Sequence, residues 1–135
     1  MGKKIRMVGF QNDIASFLGA LDLFAFATKS EGLGQVAVEA MVVGKAVVMT
    51  NIAPLRGIVV DGETGRLVDI GSADSFTHVI IPLLKDPTER ARMGALGRAR
   101  VKEFFTAERM SQETLSLYED VLRRRSTLRA SAMTA

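Results

Sequence analysis

The sequence predicts an α/β fold built on a parallel sheet, and two observations carry that expectation. Residues 22–28 (DLFAFAT) and 45–50 (KAVVMT) are short, nearly continuous apolar runs, as in strands buried on both faces. Between them lies an apolar stretch of helical length, residues 35–43, stopped by Gly44. Strand, helix, strand in that order joins parallel neighbours through a crossover helix.

Residues 3–10 (KKIRMVGF) predict a first short strand closed by Gly9, and Asn12 or Asp13 offers an N-cap for a helix to about Ala20. The run at 22–28 is the next strand. A turn from Lys29 to Gly34 feeds the helix at 35–43, and residues 45–50 return as a strand. Pro54 marks the start of a short helical turn, and Asp61-Gly62 makes a tight turn into a last strand at Arg66–Val68. From Ser72 onward only helices are predicted. The first carries an interior Pro82 that should kink it or end it early. The second starts at Pro87-Thr88 and runs to about Phe104. Thr106 caps a third to about Arg125. Residues 1–125 therefore form one domain, and residues 126–135, without apolar periodicity, are expected as a basic, disordered tail.

Length and composition fit one soluble globular domain: 135 residues, 47% apolar and 24% charged. No apolar run is long enough to span a membrane, and the basic start lacks the apolar stretch of a secretory signal. The absence of cysteine excludes disulfides, thiolate metal sites and a cysteine nucleophile, and suits a cytoplasmic protein. The net charge of +3 is concentrated at the end. Arg123, Arg124, Arg125 and Arg129 set aside, the remainder has 14 bases against 15 acids. Such a tail suits a solvated helix end or peripheral contact with an acidic membrane surface. Nucleic acid is not an expected partner, because one Tyr and no Trp provide no stacking platform. The single histidine, His78, lies in a late helical stretch and is read as a structural or surface residue.

The candidate site is the segment KSEGLGQVAVEAM, residues 29–41. Glu31 and Glu39 stand eight positions apart across a turn containing Gly32 and Gly34. In open parallel sheets, ligands bind beyond the carboxyl ends of the strands, where this turn would lie. Glycines let backbone approach a ligand closely, and the helix start that follows presents free amides to a phosphate. Carboxylates are poor phosphate ligands and good acceptors for hydroxyl groups. A ligand with hydroxyls on both sides of a diphosphate, a nucleotide sugar, would use both glutamates. The structural alternative gives Glu31 a favourable place near a helix N-terminus and buries Glu39 against a partner, with Lys29, Lys45, Arg56 or a backbone amide as candidates.

The stretch SEGLGQVAVEAMVVGKAVVMTN resembles the signature of retaining glycosyltransferases of the GT-B fold, family 4 type: a Glu, seven residues, and a second Glu. IRMVGF, ALDLFAFAT, IVVDGETGRLV and the closing LLKDPTERARMGALGRARVKEFFTAERMSQETLSLYEDVL are similar to further motifs of that family, in the same order. The resemblance implies a partial Rossmann-like, doubly wound parallel sheet of about four strands with C-terminal helices, the second half of a GT-B C-terminal domain. It implies that Glu31 holds hydroxyls of the donor sugar. It places Gly32, Leu33, Gly34, Gln35 and Val36 along the diphosphate and sugar, Glu39 on the ribose, and Gly9 and Phe10 near the base. The substrate would be a nucleotide-diphosphate sugar, with no cofactor and no metal; the acceptor is unknown.

The departures from the family pattern are specific. The acceptor-binding domain is absent from this sequence, and so are the arginine and lysine that neutralise the donor diphosphate; Gly57 stands where the family has a glutamate. Catalysis by the chain alone is therefore not expected. A non-catalytic domain that binds nucleotide weakly, or assembles with a partner chain, is the alternative, and a nucleotide-sugar epimerase fragment fits the glutamate spacing less well. With its sheet neighbours missing, residues 4–8 are expected either to pair with residues 22–27 or to leave an unpaired edge for self-association.

Overall fold

The computed structural model describes the backbone of residues 5–133 and side chains to residue 125. Among the described residues it contains α1 (Ile14–Gly19), β1 (Phe24–Phe26), α2 (Gln35–Val42), β2 (Val47–Thr50), α3 (Ala53–Ile58), β3 (Arg66–Val68), α4 (Ala73–Lys85), α5 (Pro87–Phe104) and α6 (Ala107–Met133). The chain divides into two compact units, Met1–Val101 and Lys102–Ala135.

The first unit is built on a parallel sheet in the order β1-β2-β3. Val48 pairs with Ala25 on one side and Arg66 on the other. All four residues of β2 are buried although successive side chains point to opposite faces, so helices cover both faces. On one face Ala46, Val48 and Val68 pack with Leu83 of α4 and Met93 of α5. The other residues of β2, Val47 and Met49, point to the opposite face and are fully buried there.

Glycines set how closely the elements approach. Gly44 (φ 74°) ends α2: its N–H donates to the Met41 carbonyl at 2.9 Å, and the Lys45 N–H to Ala40 at 3.0 Å, the paired bonds of a Schellman stop. Gly94 of α5 lies directly against that stop. A Cβ there would overlap the Gly44 carbonyl oxygen and sit 2.8 Å from its carbon. Arg100 of α5 donates to the Ile58 and Gly57 carbonyls at 2.8 and 2.9 Å, closing the end of α3.

Four expectations are corrected. The sheet has three strands, not about four: residues 5–10 form no strand, while residues 3 and 4 lie outside the described residues. Ile5, Met7 and Phe10 are 71%, 92% and 89% exposed, and residues 5–8 do not pair with β1. An extended segment without a ladder partner gains neither hydrogen bonds nor burial. For the same reason β1 is an edge strand with Ala25 exposed, not a strand buried on both faces. Pro82 does not end α4. Its apolar residues Phe76, Val79, Ile80 and Leu83 lie on both sides of the proline and pack on one cluster, which outweighs a cost of about 3 kcal/mol. Finally, residues 126–133 are not disordered but continue α6, since STLRASAM contains neither Gly nor Pro to stop it; residues 134 and 135 lie outside the described residues.

Candidate functional site

At the carboxyl end of β1 the chain turns through residues 27–34 into α2. Thr50, the last residue of β2 and only 2% exposed, fixes the start of that turn. Its hydroxyl accepts from the Thr28 N–H at 2.9 Å and donates to the Phe26 carbonyl at 3.4 Å. The Thr28 hydroxyl in turn donates to the Ser30 carbonyl at 2.7 Å and accepts from the Ser30 N–H at 3.3 Å. A polar relay, buried at Thr50 and exposed at Ser30, thus connects the centre of the sheet to the residue before Glu31. Thr50→Val removes that relay and leaves the Thr28 N–H unsatisfied. The expected cost is about 1–2 kcal/mol, read as a lower urea midpoint, with Thr50→Ser keeping most of the stability. A valine variant as stable as the original chain would show that the relay holds nothing.

Glu31 is half-buried, and its carboxylate accepts from the Gly32 N–H at 2.9 Å. Gly32 is open, and Leu33 is 66% exposed at the tip of the turn. Gly34 begins α2 at φ 72°, a left-handed conformation that suits glycine. A Cβ on it would sit 2.5 Å from Leu55 Cδ2, so both backbone and space require glycine there. No side chain caps α2, and the N–H groups of Gln35 and Val36 have no partner among the described residues. Together they form a short row of unused donors at the positive end of a helix.

Glu39 lies one turn further along α2. The expectation of a buried carboxylate is corrected: Glu39 is half-buried. Only Ala37, Ala40 and Met41 of α2 are buried, so an apolar sequence here covers a narrow face. No side-chain partner is found for Glu39 among the described residues. Of the three cations considered, Arg56 is engaged by Asn51 at 2.7 Å, and neither Lys29 nor Lys45 makes an ion pair. A half-buried carboxylate reaches solvent, so Glu39 stands without a side-chain partner and needs none for stability.

Gly9 (φ 66°) and Phe10 are in the irregular segment before α1, where the Gln11 side chain donates locally to the Val8 carbonyl at 2.8 Å. The residues from Glu31 to Glu39 are thus brought together by one turn and one helix, whereas Gly9 and Phe10 stand apart in the chain with no bond to that turn. Among the described residues no three His, Cys, Asp or Glu side chains are placed to hold a metal ion.

A pocket of about 420 Å³ opens at the same end of the sheet, lined by Ala27, Thr28, Lys29, Thr50, Ser72 and Phe76 among others. Sequence reasoning missed both Thr50 and this pocket. A hydroxyl closing an otherwise apolar strand was the available signal for Thr50; Ser72 and Phe76 come from distant sequence and gave none.

The sequence profile of the family described as glycosyl transferases group 1 matches residues 1–100. The lipopolysaccharide core biosynthesis glycosyltransferase LpsE of Rhizobium meliloti is 32% identical over 114 residues, 84% of this chain and 34% of that protein. The sucrose-phosphate synthase of Thermosynechococcus elongatus superposes with a TM-score of 0.84 at 28% identity, over 91% of this chain and 31% of that one. HepE of Anabaena, solved in complex with UDP, gives a TM-score of 0.80 at 26% identity, over 87% and 33% of the two chains. The chain spans about a third of the length of the relatives it matches.

Proposed function

The chain belongs to the group 1 glycosyl transferases, and on that footing we propose that it is the donor-binding portion of a retaining enzyme that moves a sugar from a nucleotide-diphosphate sugar to an acceptor. The observation that carries this reading is the pairing of an unpartnered carboxylate, Glu39, with a row of unused backbone donors one turn away. Hydroxyls need an acceptor and a diphosphate needs donors, and residues 31–39 offer both. The UDP held by the related HepE chain supports the same ligand class.

In this reading the N–H groups of Gln35 and Val36, reached past Gly32, Leu33 and Gly34, receive the diphosphate and stabilise the negative charge it gains as it departs. Glu39 accepts from the ribose hydroxyls, and Glu31 turns from the Gly32 N–H to the hydroxyls of the donor sugar. Gly9 and Phe10 are assigned to the base, and no metal or cofactor is assigned to the site. A second reading, binding without transfer by this chain alone, is favoured by one observation. Arg56, a conceivable stand-in for the missing diphosphate cations, is already held by Asn51.

Glu31→Gln separates the two glutamates. It should lower affinity for the donor nucleotide sugar about tenfold or more, since hydrogen bonds to a charged group contribute about 1.5–3 kcal/mol, and leave affinity for the matching nucleoside diphosphate unchanged. Calorimetric titration with each ligand reads the difference. Equal losses for both would mean that Glu31 only shapes the turn.

A further inference from the structure

We propose, resting on the donor-site reading above, that Thr28 and Thr50 are positioning residues for the donor sugar: they hold Glu31 in place, while the nucleotide end of the site is held by a different part of the fold. The turn at residues 27–34 is fixed at its two ends by different means. Its last residue, Gly34, is locked by packing, since a Cβ there would meet Leu55 Cδ2 at 2.5 Å and Ile58 Cδ1 at 3.2 Å, and both of those side chains are buried. From Gly34 onward α2 packs on α3 and buries Ala37, Ala40 and Met41. The N–H groups of Gln35 and Val36 and the carboxylate of Glu39 therefore take their places from the core. At the start of the turn packing is loose. Ala27, Lys29 and Ser30 are exposed, the pocket of about 420 Å³ opens beside Ala27, Thr28 and Lys29, and a Cβ on Gly32 would meet nothing within 4 Å.

Hydrogen bonds do at this end what packing does at the other. The Thr50 hydroxyl holds the Thr28 N–H at 2.9 Å, and the Thr28 hydroxyl clamps both the carbonyl and the N–H of Ser30, the residue joined to Glu31. The bond that Glu31 accepts from the Gly32 N–H ties it to the next residue of the same turn, which moves with it and does not aim it. Without the clamp the Glu31 carboxylate is free to drift. Hydrogen bonds weaken steeply as their geometry is lost, and ordering a loose segment on binding costs affinity. That cost falls on the sugar hydroxyls assigned to Glu31. It does not fall on the diphosphate and ribose, whose partners lie on α2. Recognition of the sugar and of the nucleotide is thus separable, and the two threonines control the first alone.

The test is calorimetric titration of the full chain with UDP, GDP and ADP and with their hexosyl and N-acetylhexosaminyl derivatives. Thr28→Val keeps the side-chain shape and the backbone N–H and removes only the hydroxyl. Ser30 is exposed, so its freed groups turn to water and the urea midpoint should hardly change. The variant should weaken the nucleotide sugar about fivefold or more and the matching nucleoside diphosphate less than about twofold. Thr28→Ser should restore the wild-type affinity. Thr50→Val should repeat the split in folded protein, and Thr50→Ser should relieve it. In Thr28→Val/Glu31→Gln the two losses should not add, because both act through one carboxylate. A Thr28→Val chain that binds the nucleotide sugar as the wild type does, that loses both ligands equally, or whose loss adds in full to that of Glu31→Gln overturns the proposal and leaves the donor site standing. A folded wild-type chain that takes none of the nucleotide sugars, or a Glu31→Gln chain with no selective loss of the sugar, overturns the donor-site reading and this proposal with it.

Discussion

Gly94→Ala should destabilise the chain by about 3 kcal/mol or more, the upper end of the overpacking range, because the new methyl has nowhere to go. Its Cβ would overlap the carbonyl oxygen of Gly44 and lie 3.4 Å from the carbonyl carbon of Lys45, and these are backbone atoms that no rotamer change can move. The Gly44 backbone is fixed by the two bonds that end α2, so α5 must retreat instead. That retreat would withdraw Met93 and Val101, which are 2% and 3% exposed, from their packing. Against a typical domain stability of about 5–15 kcal/mol the loss is severe. Urea denaturation followed by circular dichroism measures it. At an exposed helical site alanine would instead stabilise by about 1 kcal/mol. An unchanged or raised midpoint would mean that α5 does not press on the stop of α2.

The second large effect is on binding. Glu39→Ala is expected to weaken a nucleoside diphosphate tenfold or more, the equivalent of about 1.5–3 kcal/mol for hydrogen bonds to a carboxylate. Stability should be unchanged or slightly raised, because no side-chain partner is lost and alanine is the better helix former. Glu39→Gln should behave likewise in stability and retain part of the affinity. This opposition of the two readouts separates the readings. A structural glutamate would lose stability, and a glutamate waiting for a ligand loses only the ligand.

The sequence was most legible where local chemistry decides the structure. The strand at Arg66–Val68 and the helix at Pro87–Phe104 have the predicted bounds, since the turn at Asp61-Gly62 and the proline at the helix start are local signals. Asp13 caps α1 as expected, and the hydrogen bonds from Ser16 hold its carboxyl below the usual carboxylate range. What failed depended on distant partners. Residues 5–10 have strand composition but no neighbour to pair with, and composition cannot supply one. Pro82 was expected to kink its helix or end it early because its cost is local, and the packing that carries the helix past it comes from β2, β3 and α5. The glutamates of the candidate site were singled out from their place about a glycine-bracketed turn and from the family resemblance. The Thr50 relay that holds the turn was not, because it joins residues 22 and 24 positions apart.

The central claim, a donor half-site centred on residues 31–39, is tested most directly by calorimetric titration of the 135-residue chain with UDP, GDP and ADP. Saturable one-to-one binding of one of these nucleotides, abolished or strongly weakened in Glu39→Ala, is the predicted result and names the base. No binding of any of them by a folded chain would contradict it.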